Sequence, residues 1–265
     1  MVMKHGGRGP GHISRWTKAA GSAAAFDPAT LNLDLWLDPS DLTTLFQDSG
    51  GTGAVSADSD PVGYCGDKAA SPHNFTQAVS AARPLYKTSG GLKWMQFDGV
   101  TNTMDGAAIS TFMTASDYDI LIAGEMIAIT SNLSAGSEAN NGMFGDSGGY
   151  TCFVFRTATG GKMDFTNYDS GYKVATDDYT ATTSFVAHIR HTGGNIALQY
   201  NSRSAQTTAA GDLGALTGTA RIGRAGGAGF GNCKIFGMMA RKTTLSAGEL
   251  LAARTWLAAK AGVTL

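Results

Sequence analysis

Glutamate is nearly absent from this chain. Of 265 residues only Glu125, Glu138 and Glu249 are glutamates, and no two lie close in sequence. Closely spaced glutamates are therefore not available as an acid–base pair. Charged residues make up only 15% of the chain, and 20 Lys and Arg against 21 Asp and Glu leave a net charge of −1. That balance gives no bulk attraction to nucleic acid or to an anionic membrane surface, so neither is expected as a partner. No apolar run approaches the roughly 20 residues of a membrane-spanning helix. The N-terminus carries charge without an apolar stretch behind it, unlike a secretory signal.

Cysteine is also scarce. Cys65, Cys152 and Cys233 are odd in number and far apart, which fits neither a disulfide framework nor a zinc site. Buried free thiols are expected, with bridges between subunits as the alternative. Six prolines stand against 36 glycines, which predicts many tight turns and close backbone approaches rather than a rigid linker.

Residues 1–26 differ from the rest. Lys4, Arg8, Arg15 and Lys18 supply four cations with no acid before Asp27, among glycines and alanines and without a periodic pattern. Such a segment cannot build a core of its own. It reads as an extended basic arm laid on a neighbouring subunit, with Ile13 and Trp16 as its apolar anchors.

From residue 27 onward the pattern is almost wholly that of strands. Leu31, Leu33, Leu35 and Leu37 alternate with polar neighbours and with Trp36, predicting a half-buried strand that Pro39 ends. Residues 48–91 read as a long polar excursion. Further strands are predicted over 92–97, 118–129 with an interruption at Gly124-Glu125, 150–156 and 162–168. A hairpin joins 185–192 to 196–201 through Gly193-Gly194-Asn195, which can supply the positive φ angles such a turn needs. The last strands, 220–224 and 234–240, read as a pair. Roughly nine to twelve strands at this spacing argue for two packed sheets. Helical signal is confined to the end, where Ser246 and Glu249 fit a capping box. Leu250, Ala253, Leu257 and Ala261 then share one helical face with Trp256 at its edge, and Gly262 is placed as the C-terminal cap. The expectation is a helix over 246–261 that closes a sandwich spanning 27–265.

Five segments in order resemble one known family: Leu35-Trp36-Leu37-Asp38-Pro39-Ser40-Asp41, Ala82-Arg83-Pro84-Leu85-Tyr86, Met95-Gln96-Phe97-Asp98-Gly99, Ala220-Arg221-Ile222-Gly223-Arg224 and Leu245-Ser246-Ala247-Gly248-Glu249. Over residues 27–265 the chain resembles the concanavalin A-like lectin/glucanase fold, in the laminin-G-like form found in bacteriophage and bacterial surface proteins. The resemblance implies an all-β, two-sheet jelly-roll sandwich whose first and last strands lie close together. It implies no single activity, because the fold hosts hydrolases, lectins and structural modules.

Each chemistry open to that fold meets a different set of residues. Hydrolases of the family place glutamates two and four or five positions apart on one strand, and this chain has no such cluster, so the expectation is that it is not an enzyme. Asp117 and Asp119, at i, i+2 in a strand entrance, read as solvated acids. Calcium binding would fall to Asp98 and Asp105. The family commonly places further acids after Asp98, whereas Thr101, Asn102 and Thr103 follow here, so a turn-forming Asp98 is preferred and no cofactor is expected. His188 and His191 are three apart in a strand and point to opposite faces, which bars them from sharing an ion. The glycines from 223 to 231 lack the Gly-Lys-Ser/Thr ending of a phosphate loop and read as a hairpin. Weak sugar stacking is assigned to Tyr150, Tyr168, Tyr172, Tyr179 and Phe230, which lie in or beside glycine-rich loops.

Together these features predict a bacteriophage virion protein: a capsid decoration, head fibre or tail-associated fibre. Its arm would bind capsid or tail subunits, and its lectin-like domain, in an oligomer, would face host glycans. The alternative is a glycan-binding module or glycosidase-like surface protein of a bacterium.

Overall fold

Among the described residues, two antiparallel sheets and one α-helix account for nearly all the regular structure. The computed structural model describes Met1 and residues 26–265, apart from 115, 136, 138, 150, 159–160, 169–171, 212–215 and 217. The expected arm, with Lys4, Arg8, Ile13, Arg15, Trp16 and Lys18, lies outside the described residues.

In the first sheet the strands run in the spatial order Gln206–Ala209, Asn195–Tyr200, Phe185–Thr192, Tyr118–Ala128, Asn232–Arg241, Leu92–Asp98 and Leu85–Ser89. The short strand Leu35–Leu37 pairs with Asn232–Arg241, setting Leu35 against Ala240 and Leu37 against Met238. The first and last strands therefore meet, as a jelly roll requires. The second sheet runs Tyr172–Asp178, Lys162–Tyr168, Thr151–Arg156, Asn141–Asp146, Thr219–Ile222, Met104–Ala108, Phe75–Thr76, Tyr64–Cys65 and Leu45–Phe46.

Apolar side chains from the inner faces of both sheets fill the space between them, among them Ile120, Ile122, Phe144, Phe153, Phe155, Phe165, Phe185 and Met238. A second cluster lies on the outer face of the first sheet. There Trp36, Trp94, Leu121, Ala123, Val186, Phe236 and Met239 meet Leu245, Ala253, Leu257, Ala258 and Ala261. This second layer explains why Tyr118–Ala128 and Asn232–Arg241 are apolar on both sides: one face is core and the other lies under the helix. The helix Ala247–Ala261 begins at Ser246 with the reciprocal Ser246–Glu249 capping box and ends at Gly262 in the left-handed region at φ 66°, as the sequence predicts. The 193–194 turn also has the expected positive φ angles, 56° and 71°.

Three expectations are corrected. The Leu31–Leu37 run is a strand only over Leu35–Leu37, because Pro28–Leu31 forms a 3-10 turn capped by the Asp27 side chain. Its leucines are buried, and so is Trp36, because the helix layer covers the face that alternation would leave to water. The strand Tyr118–Ala128 is not interrupted at Gly124. The irregularity sits instead in the partner strand, whose register shifts between Ile235 and Gly237.

Thr219–Ile222 and Asn232–Arg241 do not pair with each other. The former joins the second sheet between Met104–Ala108 and Asn141–Asp146, and the latter is central in the first. Between them the chain forms a miniature hairpin, Arg224–Ala225 with Gly229–Phe230, and Ala225 packs on Cys152 and Val154. All three cysteines are buried and none is in a disulfide, and burial pushes the Cys65 and Cys233 thiols up, which holds them as inert thiols.

Candidate functional site

The two sheets come together at one edge of the sandwich. Tyr172–Asp178 borders the second sheet and Gln206–Ala209 borders the first, and the Thr208 hydroxyl donates across the gap to the Val174 carbonyl at 2.9 Å. Beside this link a recess of about 260 Å³ is lined by Lys162, Thr176, Asp177, Asp178, Arg203 and Gln206.

Each wall has a local cause. Antiparallel register sets Lys162 opposite Asp178, and their side chains form an ion pair. That ammonium, with Arg203, holds the exposed Asp178 carboxyl below its usual range. Arg203 follows a turn in which its N–H donates to the Tyr200 carbonyl at 3.0 Å. Its guanidinium lies 5.8 Å from the Tyr200 ring centre and donates to Asp177 Oδ1 at 3.0 Å. The Asp178 backbone N–H donates to that same oxygen at 2.7 Å. Asp177 is only 5% exposed, and its other oxygen, Oδ2, has no hydrogen-bond partner. Thr176 is fixed by donating its hydroxyl to Asp164 Oδ1 at 2.7 Å, and Arg156 Nε donates to the Asp164 Oδ2 at 2.8 Å. The recess thus combines compensated charge, a carboxamide, a hydroxyl and one unsatisfied buried acceptor. Such a set suits a neutral ligand rich in hydroxyl donors.

Neither Tyr179 nor Phe230, two of the aromatic residues singled out from sequence, lines this recess. Tyr150 lies outside the described residues. Register pairs Tyr168 with Tyr172 at the opposite end of their hairpin from Lys162 and Asp178. Tyr179 is corrected: it is 1% exposed, its ring packed edge-on against Phe155 at 4.9 Å and Phe185 at 5.4 Å. Its hydroxyl accepts from Met126 N–H and donates to the Thr183 carbonyl, so the residue is a core member with its polar tip satisfied, and no ring face remains for a sugar. Phe230 is half-buried, and the Arg224 guanidinium stands 4.4 Å from its ring centre, occupying one face.

Asp98 does form a turn. Its carboxylate accepts from the N–H groups of Val100, Thr101 and Asn102 and from the Thr101 hydroxyl. Burial alone would raise its pKa, and these hydrogen bonds outweigh that and lower it. Asp105 pairs with Arg221 at 2.9 Å in the other sheet, so the two aspartates named for calcium do not share a site. Among the described residues no group of three or more His, Cys, Asp or Glu is placed to hold a metal ion.

The reading of Asp119 as a solvated acid is corrected too. Asp119 is fully buried and accepts four hydrogen bonds: from Arg190 Nε and Nη2 at 2.7 Å each, from the His188 ring at 2.7 Å and from Leu245 N–H. It ties two neighbouring strands to the start of the helix. His191 faces the other way, as expected, stacked on Tyr118 at 5.5 Å and bonded to the Ser116 and Gly211 carbonyls.

No family model and no curated protein matches the chain. Solved structures do. Domain 4 of AbnA, a GH43 extracellular arabinanase from Geobacillus stearothermophilus, is similar with a TM-score of 0.50 and 8% identity, over 64% of this chain and 81% of that one. The sialidase of Trypanosoma rangeli is similar with a TM-score of 0.49 and 10% identity, over 96% of this chain but only 36% of its own. The chain thus spans about a third of the sialidase. At 8% identity the likeness to the arabinanase domain shows the fold alone.

It also corrects one expectation. The arabinanase domain is part of a glycan-cleaving enzyme, so the scarcity of glutamate does not support setting the chain apart from enzymes.

Proposed function

We propose that this chain is a glycan-binding β-sandwich of the kind joined to glycoside hydrolases, and that the recess between the sheet edges takes one neutral sugar residue. The observation that carries this reading is the unpartnered Oδ2 of Asp177, a buried acceptor in a recess lined by Lys162, Arg203, Thr176 and Gln206. Support also comes from the arabinanase domain of the same fold, whose structure was solved in complex with arabinotriose. A sugar hydroxyl would donate to Asp177, while Lys162, Arg203 and Gln206 would donate to neighbouring oxygens.

A hydrogen bond to a charged group contributes about 1.5–3 kcal/mol, which corresponds to roughly 10–100-fold in affinity. Titration calorimetry against arabinose, galactose and glucose oligomers should therefore show that Asp177→Asn and Gln206→Ala each weaken binding about tenfold or more while the fold is retained. Variants that bind as tightly as the parent sink the proposal. Release of reducing ends in the same mixtures reports whether binding is joined to cleavage.

A place on a virion is a separate proposal. Its support is the composition of residues 1–26, four cations ahead of the first acid. Capsid or tail subunits would be the partners, and the protein would sit there as an oligomer. Removing residues 1–26 should then abolish incorporation into particles and leave a folded sandwich. Normal incorporation of the truncated protein would sink it.

A further inference from the structure

A second, smaller recess lies on the opposite edge of the helix-bearing face. It measures about 160 Å³ and is lined by Pro28, Ala29, Asn32, Leu33, Trp36, Lys68, Ala69 and Ala70. Most of this wall is apolar. One of its polar groups is an anomaly: Trp36 is 8% exposed, and its indole N–H has no acceptor. Indoles buried in a folded core ordinarily place that donor against an oxygen.

The rest of the Trp36 environment is fully specified. Its backbone N–H donates to Asp67 Oδ1 at 2.8 Å. Its ring meets Trp256 edge-on at 6.0 Å. The Lys68 ammonium sits 4.4 Å from its ring centre. Lys68 is itself bound to Asp41 at 2.6 Å and approaches Asp38 at 3.8 Å. The cation is therefore compensated, and the recess has no net pull on an anion. What it offers is a largely apolar enclosure beside the unpartnered indole N–H of Trp36, with the Asn32 carboxamide in its lining.

Size narrows the ligand further. At about 160 Å³ this recess is well below the 260 Å³ of the one assigned to a whole sugar residue. A substituent of a few heavy atoms fits, and a whole sugar ring does not. We propose that this recess receives the acetamido group of an N-acetylated amino sugar. The methyl group would lie on the Pro28, Leu33 and Ala69 wall, and the carbonyl oxygen would accept from the Trp36 indole N–H. The sugar ring would remain outside, over the exposed Asn32 and Ala70. The inference rests on the glycan reading only for the sugar that bears the group. It uses none of the residues of the first recess.

The four tryptophans of the chain, Trp16, Trp36, Trp94 and Trp256, give four indole N–H signals in a nitrogen-15 correlation spectrum, and Trp36→Phe assigns the one that matters. N-acetylglucosamine should shift the Trp36 signal in a saturable way, whereas glucose and glucosamine should leave it in place. Trp36→Phe, which keeps an aromatic ring but lacks the donor, should weaken N-acetylglucosamine binding about tenfold. Ala69→Leu, which fills the recess without touching the indole, should abolish it even if Trp36→Phe folds poorly. Equal shifts with glucose, or no shift with any sugar, would overturn the inference. Tighter binding of N-acetylalanine amide than of N-acetylglucosamine would overturn the amino-sugar assignment in favour of an acylated peptide. If neutral oligosaccharides bind through Asp177 while Trp36 stays silent, the first reading survives and this one does not. The reverse outcome separates them the other way.

Discussion

Asp119→Ala should destabilise the protein by about 3–5 kcal/mol, the usual cost of removing one partner from a buried ion pair. The side chain is fully buried and serves Arg190, His188 and the N–H of Leu245 together. Its loss strands a guanidinium on an apolar face and a backbone donor at the start of the helix. The helix layer over Leu121, Val186 and Phe236 loses its anchor at the same time. For a chain of this length the melting temperature should fall by roughly 10 °C. Asp119→Asn, which keeps an acceptor but not the charge, should fall between the two. A melting temperature for Asp119→Ala within a degree or two of the parent would show that the network is not holding the layers together.

The same cluster sets an acid limit in two stages. Burial pulls the His188 pKa below its ordinary 6.5, against the hydrogen bond it donates to Asp119, which raises it, and Arg190 and Arg254 add to the depression. Its contribution is therefore fully present above pH 6.5 and is lost as pH falls through the lower folded value. For Asp119 burial works upward, but the hydrogen bonds from Arg190 and His188 win and hold its pKa below 3.8. That contribution is present above pH 3.8 and lost only below it. Urea midpoints measured against pH should show both losses, and His188→Gln should remove the first.

The other large effect lies on the outer face of the second sheet. A β-carbon at Gly142 would stand 2.3 Å from the Ala225 nitrogen and 2.5 Å from the Gly229 oxygen. Both are backbone atoms of the miniature hairpin, and neither can turn aside as a side chain would. Facing it, a β-carbon at Gly231 would meet the Gly142 oxygen at 2.1 Å. Gly142→Ala should therefore lift the hairpin from the sheet and cost about 3 kcal/mol, the upper part of the range for overpacking. Thiol labelling reads this directly. Cys152 lies under Ala225 and should become reactive in the variant, while Cys65 and Cys233, inside the sandwich, stay protected. Unchanged labelling of Cys152 would show that the hairpin accommodates the methyl group.

These residues show what the sequence made legible. Signals carried by neighbours in the chain were readable: the Gly193-Gly194 turn, the Ser246–Glu249 cap and the strands around them depend on contacts a few positions apart. Asp119 was not readable, because a buried acid and a solvated one look alike until partners 69 and 126 positions away are in place. Pairing failed for the same reason. Thr219–Ile222 has a suitable pattern for a hairpin with the following strand, but its partners are Met104–Ala108 and Asn141–Asp146. The candidate recess draws on residues from 162 to 206 that meet only because two sheet edges meet. Aromatic residues near glycines suggested a sugar platform there, yet Tyr179 turned inward, and the polar residues beside it line the cavity.

The pairing of Leu35–Leu37 with Met238–Ala240 also orders events in time. Translation runs from the N- to the C-terminus, so Leu35–Leu37 is made some 200 residues before the strand it pairs with. Until then its leucines and Trp36 have no sheet to cover them. The helix that shields the same face is made later still. Leu35–Leu37 is thus made early and seated late, and the sandwich closes only once the strand Asn232–Arg241 and the helix Ala247–Ala261 have been made.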